Sequence, residues 1–192
     1  ASIADPGVLY GALEVGGVIR SLDGGRHWEN LSHGLYLDEE PVDTHGIVAS
    51  NWRPGMVFSI TGVGLFRSID HGEHWLHIPL EPLDETGHLY TRAIREVPGD
   101  PKTIWAGAGA DFDSDVGGLY RSTDGGMKWE RVNMGLRPAS PVFCIAFNER
   151  HPRHMCCAAF GGEVFVSDDS GESWNARPLP DGASQVYALA CG

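Results

Sequence analysis

The sequence predicts an all-β repeat protein, and three observations support this fold class. Glycine and proline are abundant, with 26 Gly and 12 Pro among 192 residues, which indicates many turns. Short runs typical of β-strands lie between these turns. The third observation is a nonapeptide that occurs four times: RSLDGGRHW (20–28), RSIDHGEHW (67–75), RSTDGGMKW (121–129) and VSDDSGESW (166–174).

The four nonapeptides share the pattern Ser-x-Asp-x-Gly-x-x-Trp, which we call the repeat turn. One β-type run precedes each repeat turn directly (GGVI, GLF, GGLY, GEVF), and a second run lies before it (VLYGA, MVFSI, TIWAG, MCCAA). Three of the repeats have a further apolar run upstream: HGIVA, RAIRE and FCIAF. Four strands in about 45 residues are the pattern of a β-propeller blade.

The spacing of the repeats predicts how the blades are arranged. The serines of successive repeat turns are 47, 54 and 45 residues apart, and the distance from Ser167 through the last residue and on from residue 1 to Ser21 is 46. The run QVYALACG (185–192) therefore matches the first strand that the N-terminal repeat lacks. We expect one domain, residues 1–192, with four blades closed by pairing of this run with the N-terminal half-blade. The alternatives are part of a larger ring of about six to eight blades, or a homodimer that shares one ring.

The repeat turn resembles the Asp-box, or BNR repeat, over essentially the whole chain. Asp-box propellers include sialidases, two-propeller xyloglucanases, sortilin-type domains and photosystem II assembly factors. The resemblance implies the sialidase-like propeller fold and leaves the activity open, because one fold serves many functions. The catalytic motifs of sialidases are not matched: the Arg-Ile-Pro segment is absent, and Arg20, Arg67 and Arg121 occupy equivalent repeat positions, which indicates a structural role.

Turn geometry explains three of the four shared positions. The Asp can accept backbone N–H groups across the turn, the Gly supplies a positive φ, and the Trp buries its ring. The residues between them vary freely, so we expect the repeat turns, including His27, His71 and His74, to be structural.

Composition excludes some classes of function. The formal net charge of −12 argues against nucleic acid, and the chain contains no stretch of about 18 apolar residues that would span a membrane. No secretion signal is visible, so we expect a cytoplasmic protein. The four cysteines follow no CxxC spacing, and we interpret them as small buried hydrophobes in a reducing compartment, with a disulfide framework as the alternative.

A candidate site lies at the predicted mouth of the central channel. Alignment of the inner strands places His45, Arg92, Phe143 and Tyr187 at equivalent positions around it. His45 would act as a general base or metal ligand with Asp43, Arg92 would hold a carboxylate, and Tyr187 would donate a proton. Further ligand-binding residues are expected on the same face: Thr44, His88, Tyr90, Thr91 and Gln185. The alternative is that these polar side chains only line a solvated channel.

Two acidic segments lie in loops. Asp111, Asp113 and Asp115 alternate and would present three carboxylates to Ca²⁺ or another divalent cation, although Val116 and Ser122 break the EF-hand pattern. The run LDEE (37–40) is the second segment. A solvated loop is the alternative for both.

Two classes of function follow. The first is binding of a small molecule or glycan, with a hydrolase- or lyase-type site at the channel mouth. The second is a non-catalytic assembly or recognition scaffold that holds a protein partner on its acidic loop face.

Overall fold

The computed structural model describes residues 2–33, 35–37, 40–41, 43–180 and 182–192, and for residues 36, 37, 40 and 41 it describes the backbone alone. Within these ranges the protein is all-β, every strand pairing is antiparallel, and no helix occurs. The described residues thus contain no helix long and apolar enough to cross a membrane. The chain forms two compact units, of which the first ends at Pro79 and the second begins at Leu80.

The first unit contains three sheets, in the orders β1-β2-β3, β4-β5 and β6-β7-β8-β9. Their strands are β1 (Leu9–Leu13), β2 (Gly17–Ser21), β3 (Glu29–Asn30), β4 (Tyr36–Leu37), β5 (Glu40–Pro41), β6 (Thr44–Ala49), β7 (Val57–Thr61), β8 (Gly64–Ser68) and β9 (Leu76–Ile78). The first sheet has three strands, because the N-terminal repeat has no inner strand of its own and no other strand pairs with β1 among the described residues.

The second unit contains two four-stranded sheets, β10-β11-β12-β13 and β14-β15-β16-β17. Their strands are β10 (Tyr90–Val97), β11 (Asp100–Gly109), β12 (Gly117–Ser122), β13 (Glu130–Arg131), β14 (Val142–Phe147), β15 (Met155–Ala159), β16 (Val164–Ser167) and β17 (Asn175–Ala176). In both units the strands follow chain order within each sheet, which is the meander of a propeller blade.

The predicted closing strand is not observed. Residues 182–192 form no strand, and the sheet that begins with β1 contains three strands. The C-terminal segment, residues 182–192, instead packs on the face of the last sheet, where Val186 N–H donates a hydrogen bond to the carbonyl of Phe160 (3.2 Å). Four-blade closure is therefore not confirmed.

The repeat turns form the hydrogen-bonded structure that the sequence predicts, but the expectation of a buried tryptophan ring is wrong for Trp28, which is 47% exposed. In the first of them the Asp23 carboxylate accepts the backbone N–H groups of Arg26 and His27 at 2.9 Å each. The four glycines have φ values between 81° and 93°, in the left-handed region. Three of the tryptophans donate their indole N–H to the carbonyl of the glycine in the same turn: Trp28, Trp129 and Trp174.

The serine, which turn geometry left unexplained, links the other shared residues. Each serine is 1% exposed. The hydroxyl of Ser21 donates to Asp23 (2.8 Å) and accepts the N–H of Gly25 (2.8 Å), and the other three turns repeat this geometry. A buried hydroxyl needs both partners, so the turn positions serine, aspartate and glycine together.

The arginine before the serine connects consecutive sheets. Arg20 binds Glu29 of its own sheet and Glu73 of the following repeat turn, both at 2.6 Å. In the second unit Arg121 repeats the arrangement with Glu130 (2.9 Å) and Glu172 (2.8 Å). We call each of these groups an arginine clamp, and the two clamps confirm the structural role expected for Arg20 and Arg121.

The repeat turns make the stability of the fold sensitive to acid. Hydrogen bonds from the hydroxyl and the backbone N–H of Ser173 lower the pKa of Asp169 to about 2. In the unfolded chain an aspartate has a pKa of about 3.9. The stabilisation is therefore complete above about pH 4 and is lost as the pH falls towards 2.

We expect Asp169→Asn to lower the melting temperature above pH 4, because the amide accepts hydrogen bonds more weakly than a carboxylate. The difference from the wild type should shrink as the pH falls to 2, where the wild-type carboxylate becomes neutral. Melting curves between pH 7 and pH 2 measure this. Asp168→Asn is the control, since its carboxylate accepts none of the turn hydrogen bonds. A difference that stays constant with pH would contradict this account.

Candidate functional site

The first strands of three sheets, β6, β10 and β14, are the inner strands of their repeats, and each has a β-bulge at the same place. In β6, Thr44 is opposite Thr61 and Gly46 is opposite Ile60, so His45 is the extra residue. Arg92 in β10 and Phe143 in β14 occupy the same position. A bulge bends its strand and redirects a side chain, and bulges are common beside functional sites. The structural equivalence of these three aligned residues is confirmed.

In the second unit, five aromatic rings from different loops and strands meet near two of these bulges. We call this group the aromatic cluster. Its members are Tyr90, Phe112, Phe143, Phe160 and Tyr187. The ring centroids of Phe143 and Phe160 are 4.7 Å apart, and those of Phe160 and Tyr187 are 5.5 Å apart in an edge-on arrangement. These separations and tilts are the ones that aromatic pairs prefer.

The aromatic cluster runs from the core to the surface. Tyr90 and Phe143 are buried, whereas Phe112 is 47% exposed and Tyr187 is 64% exposed. Buried rings hold the exposed rings in place, so the two outer rings offer apolar faces to a ligand at little cost in side-chain entropy. An exposed, supported aromatic surface of this kind is typical of a binding site.

Arg92 adds a positive charge to the aromatic cluster. Its guanidinium carbon lies 5.2 Å from the centroid of the Phe143 ring, within the range of a cation–π interaction. The side chain is partly buried, and the adjacent Thr91 is fully buried. The guanidinium thus places a positive charge beside the aromatic cluster.

Tyr187 reaches the aromatic cluster from the C-terminal segment. The carbonyl of Val186 accepts a hydrogen bond from Cys144 Sγ (3.7 Å), and Val186 and Leu189 pack on the buried residues around Phe143. The predicted strand does not form here, yet the ring of Tyr187 still lies beside Phe143, which the alignment predicted to be its neighbour.

The other predicted residues of the second unit are dispersed. Tyr90 belongs to the aromatic cluster and Thr91 is buried beneath it. Gln185 is exposed with a positive φ of 58°, and His88 is exposed in a turn in which its N–H donates to Thr86 Oγ1 (3.3 Å). Neither makes a described contact with the cluster.

The acidic segments do not form a metal centre in the part of the chain that the structure describes. No group of three or more His, Cys, Asp or Glu side chains there is arranged to hold a metal ion. Asp111, Asp113 and Asp115 are exposed and do not converge. Of the run 37–40, residues 38 and 39 lie outside the described residues, while the backbones of 37 and 40 pair in the β4-β5 sheet.

His45 and Asp43 form a pair in the first unit. Nε2 of His45 lies 3.1 Å from Oδ2 of Asp43, and the imidazole is enclosed while the carboxylate is half-exposed. Thr44, between them in sequence, is buried. A carboxylate hydrogen-bonded to one ring nitrogen fixes the tautomer and the orientation of the imidazole. Participation of His45 and Asp43 in one site with Arg92 and Tyr187 stays a prediction.

Sequence reasoning missed Phe112 and Phe160 as site residues. Both lie in the loops that join the second and third strands of their sheets. Phe112 stands between Asp111 and Asp113, whose charges dominated the interpretation of that loop. A search for aromatic residues in these loops would have found both.

The sheets define a β-propeller fold, and comparisons with known proteins agree. No protein-family model matches the chain. An ancestral GH74 enzyme matches with a TM-score of 0.74 and 20% identity, over 94% of this chain and 24% of that enzyme. The GH74 xyloglucanase from Xanthomonas campestris matches with a TM-score of 0.69 and 19% identity, over 95% and 29%. Identities this low show the fold alone.

A second group of similar proteins is named Ycf48. The photosystem II assembly lipoprotein Ycf48 of Synechococcus sp. (strain CC9902) is 28% identical over 137 residues, which cover 67% of this chain and 34% of that protein. The structure of YCF48 bound to D1 peptide has a TM-score of 0.57 and 17% identity, over 90% of this chain and 50% of that one. The chain spans half or less of the length of each of these proteins.

Proposed function

We propose that the second unit is a ligand-binding part of a propeller, and that its ligand is a glycan stacked on the aromatic cluster. The observation that carries this proposal is the exposure of Phe112 and Tyr187 on a buried aromatic base. The C–H groups on the face of a sugar ring pack on aromatic rings, while its hydroxyls suit polar groups such as the Tyr187 hydroxyl and Arg92. A glycan ligand is compatible with the fold that the protein shares with a GH74 xyloglucanase.

A second candidate function is recognition of a peptide, as in a non-catalytic assembly scaffold. It is favoured by the position of the Arg92 guanidinium over the Phe143 ring, where its positive charge would attract a peptide carboxylate. The similarity to Ycf48, including a structure bound to D1 peptide, supports it.

Calorimetric titration separates the two candidates. The probes are xyloglucan oligosaccharides and a D1 peptide prepared with either a free or an amidated C-terminal carboxylate. The glycan proposal expects measurable binding of the oligosaccharides. Binding of the free-carboxylate peptide, with no binding of oligosaccharide, would replace it with the peptide proposal, and no binding of either probe would contradict both.

Arg92→Ala gives an independent check on the ligand class. Oligosaccharides carry no charge, so we expect a loss of affinity of less than about fivefold, corresponding to one hydrogen bond. The free-carboxylate peptide should lose at least about tenfold, since a charge-assisted pair is removed. The amidated peptide should be insensitive to the substitution. An equal loss for every probe would indicate that Arg92 only maintains the shape of the aromatic cluster.

Catalysis by His45 and Asp43 is a separate proposal, supported by their 3.1 Å contact. Hydrolysis would appear as new reducing ends in xyloglucan oligosaccharides, lost in His45→Ala with the fold intact. Binding without new reducing ends would leave the recognition function alone.

We further propose that the chain is an Asp-box propeller, supported by four repeat turns in equal geometry and by their spacing. If the four blades of one chain close the ring, each particle in solution contains one chain. If two chains share one ring, each particle contains two. Light scattering on the purified chain distinguishes them.

A further inference from the structure

The loop that joins β14 to β15 concentrates positive charge in an acidic protein. Its residues Arg-His-Pro-Arg-His (150–154), which we call the basic loop, include two arginines and two histidines, whereas the chain has a formal net charge of −12. All four basic residues are exposed. In the part of the chain that the structure describes, the guanidinium groups of Arg150 and Arg153 form no ion pair. The basic loop therefore offers positive charge that the protein itself does not neutralise.

Hydrogen bonds to the backbone hold the basic loop in one conformation. Asn148 Oδ1 accepts the N–H groups of Arg150 and His151 at 2.9 and 2.8 Å. The N–H of Asn148 donates to the carbonyl of His154 at 2.9 Å, and the carbonyl of Arg153 accepts an N–H of the fourth repeat turn at 2.9 Å. The basic side chains thus project from an ordered backbone, which reduces the entropy that a ligand must remove on binding.

A cavity of about 390 Å³, which we call the basic cavity, is lined by the basic loop and Asp168. The ring centroids of His151 and His154 are 5.9 Å apart at this loop. Guanidinium and imidazole groups donate N–H groups, and a phosphate group has about two negative charges and three acceptor oxygens at neutral pH. A phosphate group therefore matches the donors of the basic loop, and the carboxylate of Asp168 opposes it.

A second cavity, of about 450 Å³, adjoins the basic cavity and lies between the sheets that begin with β10 and β14. We call it the apolar cavity, because its lining includes Val97 and the buried residues Trp105 and Phe147. Pro152 and Arg153 line both cavities, so the two share a border. Each volume is within the range of small-molecule sites.

The charged groups that line the apolar cavity are already bound, with one exception. Arg121 is held in its arginine clamp, and Asp100 Oδ2 accepts a hydrogen bond from Thr103 Oγ1 at 2.6 Å. The exception is Arg153, which has no ion pair within the described residues. The positive charge available where the two cavities meet is therefore that of Arg153.

We propose that the two cavities form one site for a small aromatic molecule that carries a phosphate group. The aromatic ring occupies the apolar cavity beside Trp105 and Phe147, and the phosphate group binds the basic loop. The site lies at one end of β14 and β15, whereas Phe143 and Phe160 of the aromatic cluster lie at the other end. It is thus a second site, which goes beyond the proposed function and does not depend on it.

Calorimetric titration with three probes tests the two halves of the site. 1-Naphthyl phosphate carries both groups, 1-naphthol carries the rings alone, and inorganic phosphate is the anion alone. We expect 1-naphthyl phosphate to bind at least about tenfold more tightly than either fragment, because its two groups are linked and occupy both cavities. An affinity no higher than that of one fragment, or no binding at all, would overturn the proposal.

Arg153→Ala should weaken the binding of 1-naphthyl phosphate at least about tenfold and leave that of 1-naphthol unchanged. Asp168→Asn should strengthen the binding of 1-naphthyl phosphate about twofold to threefold, since it removes a negative charge from the lining. A gain in affinity cannot result from loss of the fold. Arg137→Ala is the matched control, because it removes the same charge from an exposed residue of the same unit that lines neither cavity, and it should bind as the wild type does.

The double variant Phe112→Ala and Tyr187→Ala separates this site from the aromatic cluster. It should bind 1-naphthyl phosphate with unchanged affinity, and a loss of binding would place the probe on the aromatic cluster and overturn the proposal. Equal weakening in Arg153→Ala and Arg137→Ala would also overturn it, as a general effect of charge. If 1-naphthyl phosphate binds as expected and no oligosaccharide or peptide binds, the proposed function fails and this site stands.

Discussion

Replacing Gly171 with alanine is expected to destabilise the second unit by about 2–5 kcal/mol, the sum of a backbone and a packing cost. Gly171 has a φ of 84°, which an L-residue with a side chain adopts only with strain. A Cβ at this position would overlap with Cη2 of Trp105, which is buried at 1% exposure. The Trp105 ring, from the preceding sheet, packs edge-on against Trp174 at 6.1 Å and cannot retreat without opening that contact.

Gly135→Ala separates the two costs. Gly135 also has a positive φ, 65°, but a Cβ there would meet nothing within 4 Å. We expect this variant to lose only the backbone contribution, about 1–2 kcal/mol. Urea unfolding of both variants measures the difference. Equal losses would show that Trp105 adapts freely and that packing between the sheets does not require glycine at position 171.

The double variant Phe112→Ala and Tyr187→Ala should abolish most ligand binding. If each exposed ring contributes about 1–2 kcal/mol of contact, their joint loss weakens binding by at least about thirtyfold. The stability of the unit should change little, because these two rings are 47% and 64% exposed. Titration with the probe that the wild type binds measures the affinity, and a melting curve verifies the fold.

Met127→Ala is the control for the double variant. Met127 is a comparably exposed apolar side chain, 50% exposed, in a repeat turn of the same unit. The Met127→Ala variant should bind ligand as the wild type does. Unchanged affinity in the double variant would place the ligand elsewhere on the protein, whereas an equal loss in both variants would indicate a general effect of removing apolar surface.

The repeated elements of the fold could be predicted from the sequence, and the reason is local. Asp23, Gly25 and Ser21 contact one another within five residues, so their roles follow from spacing and turn chemistry. The strands on either side alternate with these turns. The lack of an inner strand in the N-terminal repeat was predicted in the same way, whereas the fourth strand that the C-terminal run was expected to add to this sheet is not observed.

The candidate site could be predicted only in part. Alignment of the repeats identified His45, Arg92 and Phe143 as equivalent, yet the bulges that redirect them depend on pairing with the next strand, which spacing does not encode. Phe112 and Phe160 join the aromatic cluster through loop conformations that differ between repeats. The position of Tyr187 depends on where the C-terminal segment packs, and there the expected strand pairing is not observed.

The arginine clamps have a consequence for how such an array can change in length. Arg20 and Arg121 each connect a sheet to the repeat turn that follows, so one repeat supplies the cation and the next supplies the second carboxylate. The second repeat turn carries both halves, Arg67 and Glu73, so a duplicate of it would bring the contact with it, whereas the first and third repeat turns have Arg26 and Met127 at the carboxylate position. The fourth repeat has Val166 at the position of Arg20 and Arg121, and valine carries no positive charge to bind a glutamate of a following repeat turn. Coupling limited to nearest neighbours makes the array extendable by gene duplication, one blade at a time.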